Sequence, residues 1–232
     1  MKAARRPRPT PRASWRSIMP MLMLLCSAAL PCAAAPEAAA AAPVDAAWIL
    51  QKVARPAPMR TSFVELRGSP MLKAPLRIQG EYQRPDDATL VRAVRSPYAE
   101  TTTLRNGEAT IARAGKAPRK FSLSRVPELA GLQASFGALL SGDRALLEKH
   151  YRLVPQGTRQ QWTLVMAPRD AQVKASVRDI TLYGRGAELR CIETRPFKGD
   201  LQRTLLAGAA NEAGKASTSD ALTALCRAGA AR

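Results

Sequence analysis

The stretch from Leu72 to Val94 limits most strongly what this chain can form, because its apolar and polar residues alternate. One face holds Leu72, Ala74, Leu76, Ile78, Gly80 and Tyr82, and the other holds Lys73, Arg77, Gln79, Glu81 and Gln83. This is the period of a β-strand that has one side in water and one side buried. The sequence therefore predicts a two-faced sheet.

A turn and a second strand follow. Residues 84–87, Arg-Pro-Asp-Asp, favour a turn because proline fixes φ and aspartate side chains bond to nearby backbone. In the next strand Leu90 and Val94 share a face, and the period of two places Arg92 between them. Burying an unpaired charge is costly, so we expect Arg92 to bond to carbonyls or to a carboxylate. The alternative is a register slip or bulge that turns Arg92 outward.

The first 34 residues have the order of segments that is typical of a secretory signal peptide. Residues 1–17 contain six cations and no acid, residues 18–30 are mostly apolar, and small residues follow. The apolar run is too short to span a bilayer, so we expect cleavage near Ala34 and a periplasmic protein. An uncleaved anchor helix is the alternative.

The remaining chain is long enough for one domain with a sizeable core. We expect a signal peptide over residues 1–34, a flexible alanine-rich start over 35–44, the folded domain over 45–206, and a tail with a short helix over 207–232.

The mature chain is strongly basic. The formal net charge of +18 falls by six, to about +12, when the signal peptide is removed. This charge favours anionic membranes, lipid headgroups or acidic partners. No nucleic-acid partner is expected, because the sequence contains no groove-reading motif. A merely solvated basic surface is the alternative.

Cys191 and Cys226 are the cysteines left after the signal peptide is removed. In an oxidising compartment they can pair, and closing that loop stabilises the fold by roughly 3 to 4 kcal/mol. Two buried free thiols are the alternative.

Periodicity and turn residues predict a mainly β protein with helices. The expected strands are residues 60–66, 72–83, 90–94, 98–104, 108–113, 121–123, 151–154, 161–166, 173–182, 188–194 and 201–206, and the expected helices are 46–54, 128–140, 144–150 and one from Ser219. Ten or eleven short strands joined by tight turns indicate a curled antiparallel sheet, with a helix over its open side.

Residues for catalysis are few. His150 is the single histidine and ends a short helix, where a cation complements the helix dipole. Asp86 and Asp87 lie in the predicted turn. The sequence contains no metal-ligand spacing, no phosphate loop and no nucleophile elbow. We therefore expect no enzyme activity, no cofactor and no metal.

Several segments in one order resemble the periplasmic outer-membrane lipoprotein carriers called LolA. The segments are Phe63, the run from Leu76 to Pro85, Leu90-Val91-Arg92, Ser96-Pro97 and Asn106-Gly107, followed more loosely by Trp162-Thr163-Leu164 and Leu182-Tyr183-Gly184. The resemblance extends over residues 45–206.

The resemblance implies a half-open β-barrel with a helical lid over an apolar cavity for acyl chains. The implied lipid-binding residues are Leu76, Ile78, Tyr82, Leu90, Val94, Leu132, Phe136, Leu139, Leu140, Trp162, Leu164 and Met166. Arg92 matches the inward arginine that holds the lid until cargo displaces it. Each apolar residue could equally be ordinary core.

The implied function is that of a monomeric carrier of acylated lipoprotein or another lipid. It would receive cargo from an inner-membrane donor complex and pass it to an outer-membrane acceptor. The sequence departs from the family in its two cysteines and its alanine-rich tail, so the cargo need not be a lipoprotein. A lipid-sensing or lipoprotein-sensing adaptor is the alternative, and a hydrolase of lipid or envelope polymer is less favoured.

Overall fold

Eleven antiparallel strands form one sheet in this computed structural model, which describes residues 43–67, 75–123 and 137–228. The strands are β1 (Met59–Arg67), β2 (Leu76–Arg84), β3 (Thr89–Ser96), β4 (Glu100–Arg105), β5 (Glu108–Arg113), β6 (Lys116–Ser122), β7 (Tyr151–Gly157), β8 (Trp162–Pro168), β9 (Val177–Arg185), β10 (Glu188–Pro196) and β11 (Gln202–Leu206). Their order in the sheet is β6-β5-β4-β3-β2-β1-β11-β10-β9-β8-β7. The sheet is not closed, since β6 and β7 form its two edges. This confirms the predicted fold class.

Strand β1 lies at the centre of the order because it pairs with β2 on one side and with β11, the last strand, on the other. The connections on each side are mostly tight turns. At the turn between β4 and β5, Asn106 and Gly107 both have positive φ, 49° and 74°, as a two-residue hairpin turn requires. Short turns between sequential neighbours thus place the two halves of the chain on either side of β1.

Within the described residues, five helices accompany the strands: α1 (Ala46–Val53), α2 (Arg144–His150), α3 (Ala171–Ser176), α4 (Ala207–Glu212) and α5 (Ser219–Arg227). Residues 137–141 are also helical. Helix α1 begins where expected, since the Asp45 carboxylate accepts a hydrogen bond of 2.8 Å from the Trp48 backbone N–H. The described part of the chain contains no helix long and apolar enough to cross a membrane.

One face of the sheet, which we call the inner face, carries the main core. Its buried cluster unites side chains of β1 to β3 with those of β7 to β11, together with α1 and α2. In the sheet order β3 and β7 are seven strands apart, which is about 34 Å in a flat sheet with strands about 4.8 Å apart. The sheet must therefore curl around α1 for these side chains to share one core.

The opposite, outer face carries a second core under the two C-terminal helices. Leu222 and Cys226 of α5 and Ala209 of α4 pack with Val64 and Leu205 of the sheet. The sequence predicted a tail with a short helix after residue 206, and the structure has two helices there. Ala207–Glu212 was missed because it has no side-chain cap and few large apolar residues.

Residues 173–182, predicted as one strand, are divided between a helix and a strand. Helix α3 ends at Ser176, and β9 begins only at Val177. The Asp170 carboxylate caps α3 by accepting hydrogen bonds from the backbone N–H groups of Gln172 and Val173. The prediction was correct for residues 177–182 and wrong for residues 173–176, where the Asp170 cap favours a helix.

Candidate functional site

The candidate site is the space between the inner face of the sheet and the helices that cover it. Ile49, Leu50 and Val53 of α1 point into the inner core and are almost fully buried. After α1 the Arg55 backbone N–H donates a 2.8 Å hydrogen bond to the Leu140 carbonyl, which joins this segment to the helical residues 137–141. Two helical segments thus cover the apolar face together.

Most of the predicted lipid-binding residues belong to this inner face or to the helical residues 137–141 that cover it. Those that are buried are Ile78, Val94, Leu139, Leu140, Trp162, Leu164 and Met166. Those that are partly buried are Leu76, Tyr82 and Leu90. Leu132 and Phe136, like the predicted signal peptide, lie outside the described residues. The structure therefore brings the described members together on one face, and their role in binding lipid stays a prediction.

Trp162 is held on this face by tight packing against Gly184. It lies opposite Gly184 in the β8–β9 pair, and a Cβ on Gly184 would come within 2.0 Å of the Trp162 ring. The indole N–H donates a 2.9 Å hydrogen bond to the Gly186 carbonyl. Trp162 is fully buried, so it forms part of the rigid wall of the site.

A cavity of about 200 Å³ lies at one end of the inner face. Most of the residues that line it are apolar, and three of them are charged. It is lined by Val53, Arg55, Met59, Arg60, Thr61, Tyr82, Leu90, Leu140, Glu188, Leu189, Leu206 and Ala207. Tyr82, Leu90 and Leu140 of the predicted set therefore border open space, whereas the other buried members are packed core.

Arg92 lies on the inner face beside this cavity. Its guanidinium donates a 3.0 Å hydrogen bond to the Glu65 carboxylate and lies 4.8 Å from the centre of the Phe63 ring. Burial alone would lower the pKa of Arg92, but its interactions with Tyr82 and Glu65 raise it above its ordinary value. Arg92 is therefore a mostly buried cation that a carboxylate and an aromatic face stabilise.

Tyr82 completes this group. Its ring centre lies 4.8 Å from that of Phe63, and it faces Arg92 across the β2–β3 pair. Burial raises the pKa of Tyr82 above its ordinary value, and Arg92 opposes that rise only in part. The phenol is therefore protonated at neutral pH, and it presents an uncharged surface to the cavity.

The contacts of Arg92 within the described residues are with β1 and β2. Residues 128–136 of the predicted lid lie outside the described residues. The latch between Arg92 and the lid consequently stays a prediction.

Two further residues at the site were missed by the sequence reasoning. Glu65 is buried on β1 and binds both Arg92 and Arg67. Arg84, also buried, donates to the Arg55 carbonyl at 2.9 Å and to Asp87 at 2.6 Å. Glu65 could have been found from its position two residues after Phe63, on the same strand face. The strand pattern gave no such signal for Arg84, because Arg84 begins the predicted turn over residues 84–87.

The described residues contain no cluster of three or more histidine, cysteine or acidic side chains arranged to hold a metal ion. His150 ends α2, and its backbone carbonyl accepts a hydrogen bond from the Arg169 N–H. Asp86 caps its own turn by accepting from Ala88 and Thr89. The Asp86 side chain therefore has a structural role in its turn.

The sequence matches the model of a family described as outer membrane lipoprotein carrier protein LolA-like, over residues 38–229. The chain belongs to this LolA-like family. The match includes the C-terminal helices, so it extends beyond the 45–206 of the sequence resemblance. Members of the LolA-like family are carrier or binding proteins and are typically periplasmic or exported. No curated protein matches the chain.

Solved structures match this LolA-like chain only distantly. LolA superfamily protein NE2245 from Nitrosomonas europaea is 14% identical, with a TM-score of 0.36 over 69% of this chain and 76% of that one. The MucA/MucB complex of Pseudomonas aeruginosa is 18% identical, with a TM-score of 0.35 over 77% of this chain and 60% of that one. LprF from Mycobacterium bovis is 14% identical, with a TM-score of 0.34 over 73% and 94%. The family assignment rests on the family match.

Proposed function

We propose that this protein is a periplasmic carrier that binds the acyl chains of lipoproteins or of another lipid and transfers them from the inner to the outer membrane. The observation that carries the proposal is the apolar cavity of about 200 Å³ between the inner face, α1 and Leu140. A carrier needs such a surface, because an acyl chain leaves a membrane only if it exchanges one apolar environment for another.

The size of the cavity implies that cargo enters by displacing a covering element. Pockets for small ligands have volumes of roughly 300 to 1,000 Å³, so this cavity is below that range. The segment after α1 meets residues 137–141 through the hydrogen bond from Arg55 to Leu140, whereas Trp162 and Leu164 belong to the hydrogen-bonded sheet. In the proposed function the helical residues 137–141 shift when cargo enters, and the sheet wall stays fixed.

Native mass spectrometry of protein purified from its own periplasm tests the carrier function. We expect a copurified acyl species, whose mass identifies the cargo as a lipoprotein or a free lipid. Protein that is consistently empty, and that also takes up no apolar dye, would contradict the proposal and favour the adaptor alternative.

Arg92 is proposed to control release. Its guanidinium lies at the inner face, where an entering chain changes its surroundings. Arg92→Leu should still take up the dye N-phenyl-1-naphthylamine but pass it to acceptor vesicles more slowly, because an apolar side chain no longer favours the empty state. Stopped-flow fluorescence measures the transfer rate. A rate equal to that of the wild type would remove Arg92 from the release step and leave the carrier function standing.

A further inference from the structure

Phe197, in the connection from β10 to β11, is the most exposed large apolar residue of the described part of the chain. It is 52% exposed, against 37% for Tyr98 and for Leu146. Its backbone is held in place, since the Phe197 N–H donates a 2.8 Å hydrogen bond to the Ser176 carbonyl at the end of α3. A single exposed ring is ordinary by itself, so its surroundings decide what it can bind.

Phe197 lies at one end of four neighbouring strands. Tyr151, which begins β7, pairs with Pro168 at the end of β8. Val177, which begins β9, pairs with Pro196 at the end of β10. These strand ends, α3 and the connection that contains Phe197 therefore belong to the same end of the sheet.

This end of the sheet is strongly basic. We call it the basic end and define it as residues 149–152, 167–179 and 195–200. It has seven lysines or arginines and three aspartates, so its formal net charge is +4. The seven cations, all exposed, are Lys149, Arg152, Arg169, Lys174, Arg178, Arg195 and Lys198.

Two of the three carboxylates at the basic end already have partners. Asp179 pairs with Arg195 at 3.4 Å, and Asp170 caps α3. Asp200 is exposed. Among the described residues no carboxylate forms an ion pair with the other six cations. The basic end therefore presents more positive charge than its own acids neutralise.

Arg178 is placed beside Phe197 by an irregularity in the strand pairing. The register of β9 and β10 shifts between Arg195 and Pro196, and Arg178 lies at that shift. Such irregularities change the direction of a side chain. The Arg178 guanidinium lies 5.2 Å from the centre of the Phe197 ring, and Lys198 follows directly in the chain. An exposed ring is thus flanked by two cations.

Tyr98 and Arg113 form a similar contact elsewhere in the molecule. The Arg113 guanidinium lies 5.7 Å from the centre of the Tyr98 ring. Arg113 is paired with Glu100, however, so its charge is neutralised locally. This contact therefore offers a matched control for the one between Arg178 and Phe197.

We propose that the basic end is a docking surface for a membrane with anionic lipid headgroups, with the Phe197 ring at the level of the headgroups. Aromatic rings favour the interface of a bilayer with water, and each nearby cation strengthens binding to anionic lipid. A protein partner would need a wider apolar patch, since stable protein interfaces bury roughly 1,200 to 2,000 Å². A bilayer, in contrast, surrounds a single ring.

The docking surface is separate from the inner cavity. The cavity is lined by Glu188 and Leu189 at the start of β10, whereas the basic end lies where β10 ends. The proposal therefore does not rest on the carrier function.

Co-sedimentation with lipid vesicles tests the proposal. The folded, disulfide-bonded protein is mixed with vesicles of phosphatidylcholine, or of equal parts phosphatidylcholine and phosphatidylglycerol. We expect binding to the anionic vesicles to be at least about a hundredfold tighter, because several cations act together. High salt should weaken it.

Two double variants locate the charge. Arg178→Gln with Lys198→Gln should weaken binding to anionic vesicles about twenty-five-fold, since each cation near such a surface contributes about a factor of five. The control is Arg119→Gln with Lys120→Gln, which removes the same charge from exposed residues of β6. This control should change binding by less than about twofold, because the attraction falls off within a Debye length.

Two single variants test the ring. Phe197→Ser should weaken binding about fivefold, because the bilayer then buries no aromatic surface at this position. Tyr98→Ser should leave binding unchanged. Both residues are exposed, and circular dichroism checks that each variant is folded.

Three results would overturn the proposal. The first is equal binding to the two kinds of vesicle, or no binding to either. The second is an equal loss in the two double variants, because the net charge of the chain would then be responsible. The third is a dimer in analytical ultracentrifugation that Phe197→Ser dissociates, which would assign the ring to a second copy of the chain. Each of these results leaves the carrier function standing, since dye uptake tests it separately.

Discussion

Glu65 and Arg92 form a mostly buried ion pair on the inner face, with side chains that are 8% and 18% exposed. Removing charges from water is costly, so such a pair is stable only when both members are satisfied. Here Glu65 also binds Arg67, and Arg92 also lies on the Phe63 ring. At the scale of single residues, the inner face is therefore not uniformly apolar. The charge of Arg92 on this face is stabilised by the carboxylate of Glu65.

Glu65→Gln should lower the free energy of unfolding by about 3 kcal/mol, because it leaves the Arg92 charge buried without its carboxylate. Urea denaturation followed by circular dichroism measures the change. Glu148→Gln is the control, since Glu148 pairs with Arg144 on the surface and should cost less than about 0.5 kcal/mol. Equal losses in the two variants would show that the buried pair contributes no more than a surface pair.

Tyr183 lies on the outer face and donates a 2.9 Å hydrogen bond to the Glu193 carboxylate. Burial, together with this interaction, raises the pKa of Tyr183 from 10.0 to about 12. Folding thus favours the protonated phenol. The resulting stabilisation is complete below pH 10 and is lost as the pH rises through about 12.

In a tyrosinate absorbance titration of the native protein, we expect Tyr183→Phe to remove a step near pH 12. Tyr98→Phe, at an exposed position, should retain that step. If both variants lost it equally, Tyr183 would not be the tyrosine with the raised pKa.

At the scale of elements, the C-terminal helices are part of the fold. Helix α5 covers Glu193 and Arg203 on the outer face, and its Cys226 is joined to Cys191 of β10 with an Sγ–Sγ distance of 2.09 Å. The bond links residues 35 positions apart and fastens α5 to the sheet. The helix is short and amphipathic, so its place depends on this contact rather than on intrinsic helix stability.

Replacing both cysteines by serine should lower the free energy of unfolding by about 4 kcal/mol, because the unfolded chain loses its closed loop. Thiol labelling of the unreduced, denatured wild-type protein should find no free thiol on the mature chain. Two reactive thiols in that experiment would refute the disulfide. Cysteine-to-serine variants that unfold at the same urea concentration as the wild type would refute its contribution to stability.

At the scale of the whole molecule, the sheet separates two environments. The inner face holds the cavity and the inner core, and the outer face holds the second core under α4 and α5. The sheet remains open at β6 and β7, so its edges and the helical cover can shift without breaking a closed ring of hydrogen bonds. This arrangement is compatible with the proposed carrier function.

The mature protein is predicted to lack residues up to about Ala34, because basic, apolar and small segments occur there in processing order. Intact-mass analysis of the periplasmic form checks this expectation. A mature protein that still carries residues 21–25 would contradict it.

Alternation and turn residues alone determined most of the strands. Leu76 to Arg84 is a strand with a buried side because apolar residues recur at every second position, and Asn106-Gly107 is a hairpin turn because both residues tolerate positive φ. Local patterns of this kind act within one or two elements, so they can be read without knowing the partner strands. Part of the helix Ala171–Ser176 was predicted as strand. Its Asp170 cap favours a helix, whereas the apolar residues that follow favour a strand.

The partners of the charged residues were decided only by the tertiary structure. The sequence placed Arg92 among apolar neighbours and required an acceptor, but Glu65 is 27 residues away and reaches it only through the pairing of β1, β2 and β3. Likewise Arg55 meets Ala187 across 132 residues, at the opening of a cavity that exists only once the sheet has curled around α1. Periodicity assigns a side chain to a face, whereas register and curvature determine what it meets there.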